Sequence, residues 1–139
     1  MKKYGWSLLG MLLLTLSCGG EDEQTKMVVQ GRIKGLKKGI LYLQHIPDST
    51  LVTLDSLEIR GDGAFNLQAN VTEPDLYYLY LSKADNNILD DRIAFFGEPG
   101  EYHIETSWNA FEADAVIQGT EAQEKYETYK DNMSRFNMQ

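Results

Sequence analysis

The chain has 139 residues, 13 Lys+Arg against 21 Asp+Glu, a formal charge of -8 and a pI near 4.7. That balance argues against nucleic acid, where affinity comes largely from cations set against phosphates. It argues equally against a polybasic grip on anionic lipid. A single Cys excludes an internal disulfide, a CxxC redox centre and a multi-Cys zinc site.

Residues 1–17 have the layout of an export signal. Lys2 and Lys3 form a positive start, and Leu8 to Leu16 is an apolar run broken by Gly10 and Thr15. The run is well short of the ~20 residues a bilayer-spanning helix needs. Cys18 follows directly. This arrangement resembles a bacterial lipoprotein signal, with Thr15 where the family usually has Leu. The resemblance implies that Cys18 carries the lipid, palmitate included, and becomes the mature N-terminus. Removing residues 1–17 takes Lys2 and Lys3 away and leaves a charge of -10. Two or more acyl chains hold a membrane stably where one does not. The expected location is the cell envelope, at the outer membrane, on its periplasmic or its surface face. Residues 18–26, with Gly19, Gly20, Glu21, Asp22 and Glu23, read as a flexible tether. Their acidity resembles the surface-export signal of Bacteroidetes lipoproteins.

From Met27 to Gly119 the dominant period is two, the mark of strands. Met27, Val29 and Ile33 share one side of a first strand. Gly35 to Gly39 is a turn with exposed charge. Ile40 to Ile46 is apolar on both faces and reads as a central strand, ended by Pro47-Asp48-Ser49. Leu51 to Ile59 is a longer strand, and Arg60-Gly61-Asp62-Gly63 is expected to be a hairpin turn. Phe65, Leu67, Ala69 and Val71 alternate with polar residues. Leu76 to Leu81 is aromatic-rich, Ala84 to Asp91 is a polar loop, and Arg92 to Phe96 is the next strand. Tyr102 and Ile104 point inward from Glu101–Thr106, and Ala115 to Ile117 is a last short strand.

Residues 120–139 are expected to be helical. Ala122, Tyr126, Tyr129, Met133 and Phe136 recur at steps of 4 and 3, which puts them on one stripe. Thr120 and Gln123 fit a capping box. The predicted fold is all-β: an antiparallel sandwich or partly open barrel of about eight strands, then an amphipathic helix.

The order of these pieces resembles the domain of unknown function at the N-terminus of Bacteroidetes thioredoxin-like lipoproteins (thiol:disulfide interchange and peroxide-reductase-like proteins). Its carriers are Val29-Gln30-Gly31-Arg32-Ile33, Gly39 to Leu43, Leu54-Asp55-Ser56, and Gly63 to Leu67. Phe95-Phe96 with Glu98-Pro99-Gly100, and Val116 to Thr120, complete the set. The longer relatives continue into a domain with a CxxC dithiol, and this sequence holds no second Cys. Thiol–disulfide exchange needs an attacking and a resolving thiol. The resemblance therefore implies fold, export and an accessory role, and not the oxidoreductase activity.

The residues offer little chemistry of their own. His45 and His103 lack a metal-ligand spacing. Asp85, Asn87, Asp90 and Asp91 suggest calcium, but the sixth and twelfth positions counted from Asp85 are Asp90 and Phe96, not Gly and Glu. No metal, cofactor or catalytic residue is expected. Ser49 and Ser56 follow Asp as in the Bacteroidetes O-glycosylation triplet and are candidate modification sites. The leading expectation is a non-catalytic anchored domain that meets a protein partner, or a second copy, through Tyr126, Tyr129, Met133 and Phe136. Two alternatives stand beside it. One is a surface glycan-binding lipoprotein using Tyr77, Tyr78, Tyr80, Phe95, Phe96 and above all Trp108. The other is a fragment of a thiol–disulfide oxidoreductase.

Overall fold

Alternation sorts the side chains into two layers. Met27, Val29 and Ile33 of the first strand are fully buried, and so are Leu41 and Leu43 of the second. The computed structural model describes residues 23–83 and 91–138. Its strands are β1 (Lys26–Lys34), β2 (Lys38–His45), β3 (Val52–Arg60), β4 (Ala64–Asn70), β5 (Asp75–Lys83), β6 (Arg92–Gly97), β7 (Gly100–Ser107) and β8 (Val116–Gln118). A helix, α1 (Glu121–Asn137), follows.

The strands form two open four-stranded sheets, ordered β4-β1-β7-β8 and β3-β2-β5-β6. The fold is thus a sandwich and not a closed barrel. Phe65, Leu67, Tyr102 and Ile104 of one sheet meet Leu79, Leu81, Ile93 and Phe95 of the other in a single core. Burying each such side chain is worth about 1.5–3 kcal/mol. The chain passes between sheets at β1–β2, β3–β4, β4–β5 and β6–β7.

Two pairings differ from the expectation. The β1–β7 pair runs parallel, with Met27 opposite Gly100 and Lys34 opposite Ser107. Gly31 makes this approach possible: a Cβ there would stand 1.8 Å from the Ile104 carbonyl oxygen. The Arg60–Gly63 turn is not a hairpin, because β3 pairs with β2 while β4 pairs with β1. It is a corner between sheets. Its glycines do adopt positive φ, +95° at Gly61 and +79° at Gly63. Gly63 also lies against β1, where the Ile33 N–H bonds its carbonyl at 2.9 Å.

One edge is stitched by Asp55, whose carboxylate accepts the Gln68 N–H of β4 at 2.8 Å. The opposite edge, between β6 and β8, is the one α1 covers. The expected capping box is absent: Thr120 makes no side-chain cap bond. Its Oγ1 meets the Tyr102 hydroxyl at 3.1 Å instead, and Gln123 bonds β6. Both polar groups are drawn to the sheet, where buried partners are costlier to leave unsatisfied than a solvated helix end.

The register also fixes the two ends of the sandwich. Lys26, Asn70, Asp75, Gly97 and Gly100 share one end. The turn at Gly35, the Gly61–Gly63 corner and Trp108 share the other, where the Trp108 N–H bonds the Lys34 carbonyl at 3.0 Å. Of the segment expected as a tether, Glu23–Thr25 forms a 3-10 turn and Lys26 already belongs to β1. Cys18 and the export segment lie outside the described residues.

Candidate functional site

The surface expected to meet a partner divides in two along α1. The first two turns are docked. Gln123 is 1 % exposed, and its Oε1 accepts the Phe96 N–H at 2.7 Å. Its Nε2 donates to Glu127 at 2.7 Å. Tyr126 is half-buried, its ring 6.1 Å from that of Phe96, with Lys130 Nζ 5.0 Å from the Tyr126 ring centroid. Beyond Lys130 the helix leaves the sheet. Residues 131–138 are all exposed, and so is Tyr129. Tyr129, Met133 and Phe136 are 59, 46 and 81 % exposed. The stripe is therefore real, yet only its Ala122 and Tyr126 end packs on the sandwich.

Beneath the docked part lies a cleft of about 450 Å³ between β6, β8 and α1, lined by Ile93, Ala94, Ala115, Ile117, Tyr126 and Lys130, among others. Gln123 bonds Phe96, while the later Glu127 and Lys130 line the cleft with the earlier Ile93 and Ala94, so α1 runs against the direction of β6. Its free turns point toward the Gly35 end.

Trp108 is 39 % exposed and sits over the backbone at Gly35, where a Cβ would stand 2.8 Å from the indole Cδ1. Lys83 Nζ lies 5.7 Å from the ring centroid and pairs with Asp91 at 2.5 Å. Among the other aromatics, Tyr77 and Phe95 belong to the core. Tyr80 lies between Tyr42 at 5.9 Å and the Arg92 guanidinium at 5.2 Å. Phe96 is covered by Tyr126. Tyr78, Tyr80 and Phe96 are half-buried, and of the six aromatics Trp108 is the most exposed.

The histidines are both partnered. His45 Nε2 lies 2.8 Å from Asp75, and its ring stacks on Tyr77 at 4.5 Å. That side-chain bond, then the Leu76 N–H, holds the Asp75 carboxyl below its ordinary range. Burial pushes the Tyr77 phenol up. His103 meets Glu105 at 2.8 Å on the exposed side of β7. Ser49 is exposed in the 3-10 turn Pro47–Ser49, where Asp48 and Ser49 both have positive φ. Ser56 is exposed on β3, its N–H bonded to the Asp55 side chain. Of the acidic loop considered for calcium, residues 84–90 lie outside the described residues. Among the described residues no cluster of three metal-binding side chains occurs, and no helix is long and apolar enough to cross a membrane.

The sequence reading missed Gln123 as the residue that fastens the helix, and the pairing of His45 with Asp75. A polar residue on the helix stripe's flank was the signal for the first. The second joins positions 30 apart in sequence and left no local trace.

No curated protein and no solved structure matches the chain. One family model matches residues 27–126, from the first core residue of β1 to the docked aromatic of α1. The chain belongs to that family, which is described as a domain of unknown function (DUF4369).

Proposed function

We propose that this chain is a non-catalytic domain of the cell envelope, anchored through a lipidated Cys18, that works as an accessory module by presenting a surface to a protein partner. In this reading it resembles the domain that precedes the thioredoxin fold in thioredoxin-like lipoproteins. The carrying observation is the divided helix: its apolar stripe runs on past Tyr126 with no sheet beneath it, and Tyr129 and Phe136 stand in solvent. Apolar side chains gathered on one exposed stripe, rather than scattered singly, are the mark of an interaction surface.

The two ends of the sandwich give the reading a direction. Lys26 opens β1 eight residues after Cys18, so an anchored chain emerges from the Gly97–Gly100 end. The Gly35 end, with Trp108 and the free turns of α1, then faces away from the membrane. That is where a soluble domain or protein arrives.

The test is metabolic labelling of cells with an alkyne analogue of palmitate, comparing the native chain with Cys18→Ser. Label on the native chain and none on the variant is the expected result. An intact mass corresponding to an unmodified polypeptide starting at Met1 refutes the anchor. Vigorous turnover of any substrate by the purified chain refutes the non-catalytic assignment.

A further inference from the structure

The Gly35 turn stands out from the charge of the chain as a whole. In a protein of formal charge -8, Lys34, Lys37 and Lys38 crowd one turn. All three are exposed, and none forms an ion pair among the described residues. The neighbouring cations are engaged: Arg32 with Asp62 at 3.1 Å, Arg60 with Glu58 at 2.6 Å, Lys83 with Asp91 at 2.5 Å. Lys38 also lies directly opposite Arg60 in the β2–β3 ladder, a like-charge arrangement that works against pairing.

The turn is rigid. Leu36 is buried in the core at 4 % exposure. Its N–H bonds the Ile33 carbonyl at 3.2 Å, the Gly61 N–H bonds the Lys37 carbonyl at 3.1 Å, and the Trp108 N–H bonds the Lys34 carbonyl at 3.0 Å. The lysines therefore radiate from a backbone pinned at three points, and a ligand need not order the loop to engage them. Trp108, packed on Gly35, adds a half-exposed aromatic beside them.

We infer that this turn, Lys34, Lys37 and Lys38 together with Trp108, is a docking surface for an acidic segment of a partner protein. Charge complementarity names the partner's chemistry: an anionic ligand relieves the mutual repulsion of the lysines. The inference rests on the anchored reading above in one respect. That reading places this turn at the end away from the membrane, which favours a protein carboxylate over a lipid headgroup.

Isothermal titration of the full chain in non-ionic detergent with an octaglutamate peptide provides the test. Binding should be saturable, should weaken as salt rises, and should fall about tenfold or more in Lys34→Gln/Lys37→Gln/Lys38→Gln, as expected for three screened ion pairs. An octalysine peptide should not bind. Absent binding of octaglutamate, or binding undiminished in the triple variant, overturns the inference. So does lysine-dependent sedimentation with phosphatidylglycerol vesicles in place of peptide binding, which would assign the turn to a membrane surface. None of these readings depends on acylation of Cys18, so a failed anchor and a failed acidic dock remain distinguishable.

Discussion

Gln123 Oε1 accepts the Phe96 N–H at 2.7 Å, and this one bond joins the helix to the free edge of β6. Phe96 is held three ways: its N–H by Gln123, its carbonyl by the Tyr102 hydroxyl at 3.1 Å, its ring by Tyr126. An edge strand offers unpaired backbone groups that invite foreign strands. Here a side chain from α1 occupies one of them. Gln123→Leu keeps the volume and removes the acceptor, leaving a part-buried N–H unsatisfied. The expected cost is about 1–3 kcal/mol. Urea unfolding of the two proteins measures it, and the Phe96 amide should exchange faster in the variant. A shift too small to resolve would mean that the bond fastens nothing.

Tyr102 does the corresponding work from inside. Its hydroxyl donates to the Phe96 carbonyl, accepts the Glu98 N–H at 3.0 Å and meets Thr120 Oγ1 at 3.1 Å. Tyr102→Phe leaves these groups without that partner and should cost about 1–3 kcal/mol near neutral pH. Burial pushes the Tyr102 phenol up from 10.0. The neutral phenol is thus favoured in the folded state, and this stability is present below pH 10 and lost as pH rises through the folded value. The native protein should therefore lose stability between about pH 9 and pH 11 more steeply than Tyr102→Phe. Tyr77, raised for the same reason, leaves a residual slope in the variant. Parallel slopes in the two proteins would contradict this.

What the sequence discloses and what it hides divide along physical lines. Strict alternation from Phe65 to Val71 placed Phe65 and Leu67 in the core correctly, since a half-buried strand has only one way to face. The 4-and-3 spacing of α1 identified its stripe. The parallel β1–β7 pair was not legible, because Val29 and Tyr102 are far apart in sequence and neither records its neighbour's direction. Phe111 is fully buried with no periodic context. It sits in the β7–β8 connection, where the Thr106 hydroxyl bonds its carbonyl at 2.6 Å. The capping box failed for a related reason: Thr120 and Gln123 had better partners on a sheet that local sequence does not reveal.

Asp75 gives an acid-side expectation. Its carboxyl lies below 3.8, chiefly through the bond from His45 and next through the Leu76 N–H. A depressed folded value contributes stability that is present above pH 3.8 and lost as pH falls from there through the lower, folded value. The side chain is 57 % exposed, so solvent screening reduces the effect to a few tenths of a kcal/mol. Carboxyl NMR is therefore a better gauge than unfolding. The Asp75 midpoint should move up toward 3.8 in His45→Ala. An unchanged midpoint would show that the imidazole does not hold the carboxylate.

The free turns of α1 separate structure from function most cleanly. Tyr129, Met133 and Phe136 are all exposed, so Tyr129→Ser/Met133→Ser/Phe136→Ser should leave the sandwich within about 0.5 kcal/mol of native per site. Tyr126→Ser, by contrast, removes the ring that covers Phe96 and should lower stability by about 2 kcal/mol or more. The contrast follows from where the sheet ends: beneath Tyr126 lies β6, and beyond Lys130 the helix has left it. Thermal unfolding of both variants decides the matter. If the triple variant unfolds as early as Tyr126→Ser, the outer stripe belongs to the fold, and a partner is no longer needed to explain it. If it stays near native, the outer stripe is not needed by the fold and is free to meet a partner. Crosslinking from a photoreactive residue at position 133 in cells should then give a discrete adduct that Tyr129→Ser/Phe136→Ser in the same photoreactive chain abolishes.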